Sequence, residues 1–152
     1  MTSIVKNSKL TVRVIEEVTL NGAQRGSTIK HEVNDINEVS ERIMSIPTSD
    51  VTVLSASNTV GPGTFVSSSL KYIRLTNLDD TNFLRLSFIS GSESSANTAD
   101  FKLDPSRTMM FTNTLFSGSA DSKSFNQFSG FTALKASADT ASVDLEIFVA
   151  ST

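Results

Sequence analysis

Short runs of alternating apolar and polar residues dominate this chain, and turn sequences separate them roughly every 8–14 residues. In the last run, Val143–Val149, four aliphatic residues share one side while Asp144 and Glu146 share the other. A period of two is typical of a strand with one buried face. The pattern predicts an all-β fold, an antiparallel β-sandwich that is jelly-roll-like, with eight to ten short strands and at most one short helical turn.

The composition favours a structural domain over a catalytic one. The 152 residues include 25 Ser and 17 Thr but no Cys and a single His, so a disulfide scaffold and a metal site built from several His or Cys ligands are excluded. Ten Phe but one Tyr and no Trp suit a core better than a sugar-stacking face. We expect residues 9–152 to form a single β-sandwich domain, preceded by a flexible N-terminal arm, residues 1–8.

The charge distribution argues against nucleic-acid and membrane partners. The net charge is −3, and the 13 basic residues are scattered without a run or stripe. No stretch approaches the ~20 apolar residues that a membrane-spanning helix needs. The first residues also lack the long apolar run of a signal peptide. We therefore expect a soluble protein with no affinity for DNA or anionic lipid.

Two segments of the N-terminal third carry local structural signals. Apolar residues at alternate positions from Leu10 to Leu20 predict one strand with a single apolar face. Glu16 interrupts that face and Ile15 lies on the opposite one, which suggests a bulge or an exposed end. Asn21-Gly22 then fits a type I′ hairpin turn. The segment 35–47 is ambiguous between a helical stripe and a strand. We favour a strand from Arg42, with a single helical turn near residue 37 as the alternative.

No catalytic arrangement is convincing. His31 lies in a predicted strand without a Gly-x-Ser-x-Gly elbow, so we interpret it as a solvated strand residue. The turn 79–82, Asp-Asp-Thr-Asn, could hold calcium but lacks the rhythm of a calcium loop, and we interpret it as a structural turn. Glycoside hydrolysis needs two carboxylates in one cleft, and nothing in the sequence indicates that the carboxylates of Glu16-Glu17, residues 79–80 and Glu32 lie together. The sequence predicts no enzyme and no cofactor.

Apolar residues in polar surroundings are the candidate contacts with a partner. Phe125 and Phe128 lie in a Ser- and Asn-rich stretch, where they either anchor a long loop to the core or contact a neighbouring subunit. Ile4 and Val5 in the arm and Phe65 in the loop 56–69 are further candidates. We assign the partner contacts to residues 1–8 and to the loops 56–69, 90–98 and 117–130.

The segment 72–86, Tyr-Ile-Arg-Leu-Thr-Asn-Leu-Asp-Asp-Thr-Asn-Phe-Leu-Arg-Leu, resembles the "strand, Asn-Leu-Asp-x-Thr-Asn, strand" core of small virion proteins of tailed phages, particularly cyanophage-like ones. The segment 101–109 resembles their "Lys-Leu-x-Pro-Gly-x-x" segment, with Ser106 where Gly is common. The resemblance covers roughly Lys71 to Val149. It implies a β-sandwich component of the particle and carries over no catalytic residues.

The resemblance implies a virion structural protein, first of all a capsid cement (decoration) protein that bridges and stabilises major capsid protein subunits. It would be made in the host cytoplasm, act on the capsid surface, and form a homo-oligomer there, a trimer or dimer. A tail or adaptor component of the particle is the alternative. A carbohydrate-binding module is a third hypothesis, which needs exposed Tyr or Trp platforms; Tyr72 lies inside an alternating strand and supports it poorly.

Overall fold

The computed structural model describes residues 6–56, 64–66, 69–90, 97–112 and 131–152. This part of the chain contains thirteen strands, of which ten have five or more residues and three have two. The strands are β1 (Ser8–Ile15), β2 (Thr19–Leu20), β3 (Ala23–Gln24), β4 (Thr28–Ile36), β5 (Glu38–Ile46), β6 (Val51–Ala56), β7 (Thr64–Phe65), β8 (Leu70–Asn77), β9 (Leu84–Ser90), β10 (Asn97–Leu103), β11 (Thr108–Thr112), β12 (Phe131–Ala138) and β13 (Val143–Ser151). The all-β prediction is confirmed.

Two sheets form the sandwich. Sheet I has the strand order β10-β9-β12-β6-β7, and sheet II has the order β11-β8-β13-β5. All neighbours are antiparallel except β6 and β7. The pairs are nested along the chain, since β5 pairs with β13, β6 with β12, β8 with β11 and β9 with β10. This nesting is the strand arrangement of a jelly roll.

Alternating aliphatic residues from both sheets fill the space between them. The register places Leu84, Leu86 and Phe88 of β9 beside inward residues of β12. The largest fully buried side chains are Ile46, Val53, Leu54, Leu70, Ile73, Leu75, Leu84, Leu86, Leu134, Leu145 and Ile147. Each such side chain contributes roughly 1.5–3 kcal/mol of burial free energy, so the sandwich can be stable without a disulfide or a metal.

A hairpin formed by β1 and β4 precedes the sandwich. Its tip is the smaller pair β2 and β3, joined by Asn21 at φ 51° and Gly22 at φ 78°. Two consecutive positive φ angles define a type I′ turn, so this prediction is confirmed. The single strand expected from Leu10 to Leu20 is wrong, because the ladder is interrupted after Ile15. There the Glu16 N–H instead donates to the Ser27 carbonyl at 2.8 Å.

The segment 35–47 is extended throughout. The alternative of a helical turn near residue 37 is wrong: β4 reaches Ile36 and β5 begins at Glu38, so the strand also begins before Arg42. Asp35, near the end of β4, has a φ of 61°, and Asn37, the residue between the two strands, donates its N–H to the Ser151 carbonyl at 2.9 Å. Pairing of β5 with β13 along its whole length overrides the helical spacing of its isoleucines.

Candidate assembly surface

The base of the hairpin packs on the outer face of sheet II. Leu10 and Val12 of β1 and Val33 and Ile36 of β4 form one apolar cluster with the sheet. The sheet residues in this cluster are Tyr72, Phe148 and Ala150. The Tyr72 and Phe148 rings meet edge to face with centroids 5.9 Å apart. This cluster fixes the hairpin to the sandwich, because an isolated two-stranded hairpin is marginally stable in water.

The distal half of the hairpin projects into solvent and carries large apolar side chains. Ile15 is 65% exposed, Val18 53%, Leu20 58% and Ile29 44%. Single exposed aliphatic residues are common on protein surfaces, whereas contiguous ones mark interaction sites. The four lie on one short, projecting element, with Ile15 and Ile29 on opposite faces of the β1–β4 ladder, so both faces of this element expose aliphatic side chains.

The narrow part of the hairpin requires glycine at position 26. A Cβ built on Gly26 would overlap the carbonyl group of Glu16. Backbone cannot move aside as a flexible side chain can, so only glycine allows the 16–17 and 25–27 segments to approach. The Ser27 hydroxyl also donates to a Glu16 carboxylate oxygen at 3.0 Å, and the Arg25 N–H donates to the Val18 carbonyl at 2.8 Å. These contacts hold the tip in line with the base.

We expect Gly26→Ala to destabilise the hairpin by about 3 kcal/mol, the upper end of the usual cost of forcing an atom into a filled space, because the overlapping atoms belong to backbone. Amide hydrogen exchange in β1 and β4 measures the loss. Gly22→Ala is the matched control, since a Cβ there meets nothing within 4 Å and only its φ of 78° is unfavourable, at about 1 kcal/mol. An equal effect of both substitutions would contradict the close-approach explanation.

The uncovered part of sheet II's outer face carries a charge network and two exposed aliphatic residues. Arg74 of β8 donates to Glu146 of β13 at 2.6 Å and lies 3.8 Å from Glu41 of β5. Along β5, Val39 and Ile43 flank Glu41 and are 55% and 62% exposed. β5 is an edge strand of this sheet. An edge strand with outward aliphatic residues is a common site of protein association.

The turn 79–82 is built by hydrogen bonds within the protein. One Asp79 carboxylate oxygen accepts from the backbone N–H of Thr81 at 2.8 Å and of Asn82 at 2.5 Å. The N–H of Asn82 and then that of Thr81 hold the pKa of Asp79 below its usual value. The buried Asn77 side chain accepts from the Asp79 N–H at 2.9 Å. The carboxylate thus caps its own turn, as the structural interpretation predicted.

Ser106 supports the same end of the sandwich. Its N–H donates to the Asp79 carbonyl at 2.9 Å, and its φ of 55° lies in the left-handed region. Glycine adopts this conformation without strain, which gives a physical reason for Gly in the pattern that the segment 101–109 resembles.

The described residues contain no group of three or more His, Asp or Glu that could hold a metal ion. His31 is exposed and lies across the hairpin from Val12, away from the sandwich core. The acids considered for hydrolysis are separated: Glu16 and Glu17 lie near the hairpin tip and Glu32 in β4, where Lys9 and Lys30 bind it.

A shallow depression of about 290 Å³ beside sheet I is lined by Phe83, Arg85, Asp100, Phe101 and Lys102. In it, Arg85 pairs with Asp100, and Lys102 lies 4.6 Å from the Phe83 ring centroid.

The predicted contact residues fall in different places. Phe65 lies in β7, is 6% exposed and belongs to the sandwich core, so it offers no surface to a partner. Ile4, Val5, Phe125 and Phe128 lie outside the described residues. So do most of the loops to which contacts were assigned.

Sequence reasoning missed most of the exposed aliphatic residues described above. Ile15 gave a signal, because it falls on the polar side of the Leu10–Leu20 alternation. Val39 and Ile43 gave none, since their spacing with Ile36 and Ile46 imitates a buried helical stripe. Exposure there depends on β5 being an edge strand, which is a property of the tertiary pairing.

Comparisons with known proteins identify no relative. No family model, no curated protein and no solved structure matches this chain. Among the described residues, no helix is long and apolar enough to cross a membrane.

Proposed function

We propose that this protein is a non-enzymatic structural component of a tailed-phage particle, foremost a capsid cement protein that contacts major capsid protein subunits. The observation that carries the proposal is the projecting hairpin, whose distal half exposes four large aliphatic side chains. A compact domain with one projecting apolar hairpin is suited to lattice assembly, because the hairpin can reach a neighbour while the domain keeps its own fold.

The fold and the surface chemistry support this proposal. Jelly rolls recur in capsid, lectin and cupin domains, so the fold alone does not decide among functions. Cupin-like metal binding would need several ligands of a kind that this one-histidine chain lacks. Hydroxyl-rich strands can form many hydrogen bonds at a lower desolvation cost than charged groups. Many weak contacts become strong when a symmetric shell repeats them.

The carbohydrate-binding alternative is poorly supported. It needs an exposed aromatic platform, yet the chain has no Trp, and its single Tyr is buried under the hairpin at 4% exposure. A tail or adaptor position is the remaining alternative. Electron microscopy of the particle distinguishes it from a capsid position by the location of the density.

Binding to shells assembled from the major capsid protein encoded in the same genome tests the proposal. We expect saturable binding at a fixed ratio to capsid subunits, measured by co-sedimentation. The informative variant replaces residues 16–27 with Asn-Gly, which rejoins Ile15 and Thr28 through a two-residue turn because those residues already face each other. It keeps the packed base and should bind at least tenfold more weakly, about 1.4 kcal/mol.

A second deletion tests the contribution of the N-terminal arm to binding separately from that of the hairpin. Removing residues 1–5 leaves every described strand intact, whereas a cut after residue 8 would remove Ser8, which pairs with Ile36, and Asn7, which donates to Asp35 at 3.4 Å. A particle of the same phage that lacks this protein in both capsid and tail would refute the proposal.

A further inference from the structure

We infer that the outer face of the β1–β4 hairpin of one copy binds the β5 side of sheet II on a second copy of this chain. This inference rests on the proposed function and names the partner of the projecting hairpin. It joins two surfaces that the fold leaves uncovered: the outer face of the hairpin, which points away from its own sheet, and the exposed strip Val39, Glu41 and Ile43.

The first argument is charge complementarity. On the outer face of the hairpin, Arg13 lies directly opposite Lys30, and like charges in that relation repel. Lys9 and Lys30 both bind Glu32, which is the carboxylate of this face. Two cations therefore share one carboxylate, and the third cation of this face, Arg13, forms no ion pair within the described ranges. The part of this face formed by the paired strands β1 and β4 carries an excess of two positive charges, whereas the tip beyond it carries Glu16, Glu17 and Arg25.

The outer face of sheet II has the opposite imbalance. The strand register places Asp144 and Glu146 of β13 on this face opposite Ser45 and Ile43 of β5, and Glu41 lies on the same face opposite Phe148. Arg74 is the one guanidinium among them, and it is already engaged by Glu146. Two of the three carboxylates share this cation and Asp144 has no ion pair among the described residues, which leaves an excess of two negative charges. The two surfaces match in magnitude and differ in sign, which favours their contact and disfavours contact of each with itself.

The second argument is the apolar pattern. On the hairpin, Ile15 follows Arg13 at a spacing of two, and on β5 Ile43 follows Glu41 at the same spacing. A contact that places Arg13 on Glu41 can therefore bury Ile15 against Ile43 or Val39. The hairpin cannot reach this strip by folding back, because the packed base already orients its inner face toward Tyr72 and Phe148. The occupant is accordingly the hairpin of another copy, in a closed dimer or trimer with reciprocal contacts.

Sedimentation velocity across a concentration series tests this inference. We expect reversible self-association that weakens as salt is raised. Arg13→Glu and Glu41→Arg should each weaken association about tenfold, and the double variant should recover most of the loss. Lys102→Glu is the matched control, since it makes the same charge reversal at an exposed site on sheet I. Thermal unfolding checks that each variant is folded.

The outcomes separate this inference from the proposed function. A protein that stays monomeric at every concentration, or a double variant that recovers nothing, overturns the inference. Ile15→Ser, which keeps all charges, must also weaken association, and unchanged association would equally contradict it. Saturable binding of a monomer to capsid shells would support the proposed function and overturn the inferred self-association. Self-association of a protein that is absent from the particle would support the inferred contact between copies and overturn the proposed function.

Discussion

Replacing Asn77 with alanine is expected to destabilise the protein by about 3 kcal/mol, because its side chain makes three hydrogen bonds in a site that is 1% exposed. The Nδ2 group donates to the carbonyls of Asn82 at 2.9 Å and Leu103 at 3.2 Å, and Oδ1 accepts from the Asp79 N–H. One side chain thus ties the end of β8 to the turn 79–82 and to the end of β10. Urea denaturation measures the loss.

Two further variants make the Asn77 result specific. Asn77→Leu fills the space but leaves the same backbone groups without partners, so it should remain nearly as unstable as the alanine variant. Asn34→Ala, at an exposed position of β4, should change the unfolding free energy by less than about 0.5 kcal/mol. Recovery of stability in the leucine variant would show that filled volume matters more than hydrogen bonding at this site.

Replacing Tyr72 with alanine is expected to cost about 3 kcal/mol and to release the hairpin from sheet II. The ring lies at the centre of the cluster beneath the hairpin, against Phe148 and close to Val33 and Ile36. Amide hydrogen exchange should show loss of protection in β1 and β4 while β9 and β12 stay protected. Tyr72→Phe removes only the hydroxyl and should keep the hairpin in place. Loss of protection throughout the sandwich would contradict a local role for this ring.

The same cluster makes hairpin packing sensitive to alkaline pH. Burial raises the pKa of Tyr72 above 10.0, and the nearby Arg74 opposes the shift. A raised pKa means that the folded state favours the neutral phenol, so this stabilisation is complete below pH 10 and is lost as the pH rises through the folded pKa. Tyrosinate absorbance follows Tyr72 alone, because the chain has no other Tyr and no Trp. Val33→Asn, which disrupts the cluster without adding a charge, should return the pKa of Tyr72 towards 10.0.

The sandwich was largely predictable from local patterns. The alternation in β9 and β13 and the Asn21-Gly22 turn depend on neighbouring residues, and the structure confirms these features. The segment 35–47 was harder, because its isoleucine spacing fits a helix and the decision comes from pairing with β13, which lies about a hundred residues later in the chain. The residues of segment 35–47 do not by themselves indicate that β13 is the pairing partner.

The candidate surface was less predictable than the fold. Solvent exposure of Val39 and Ile43 follows from the position of β5 at the edge of sheet II, and exposure of Val18 and Leu20 follows from projection of the hairpin. Both are results of tertiary arrangement. Phe65 illustrates the reverse case, since a phenylalanine in a Ser- and Gly-rich segment looks available for contacts but fills the core beside β6.

The nested pairing of the strands also governs when this protein can fold during its synthesis. β13 lies between β5 and β8, so sheet II has an empty central position until Val143–Ser151 has left the ribosome. Until then β5 has no neighbouring strand in its sheet, and the inward-facing aliphatic side chains of β5 and β8 remain exposed to solvent. The long sequence separation between β5 and β13 makes their pairing a slow step of folding, and the unpaired strands are prone to aggregate until it occurs.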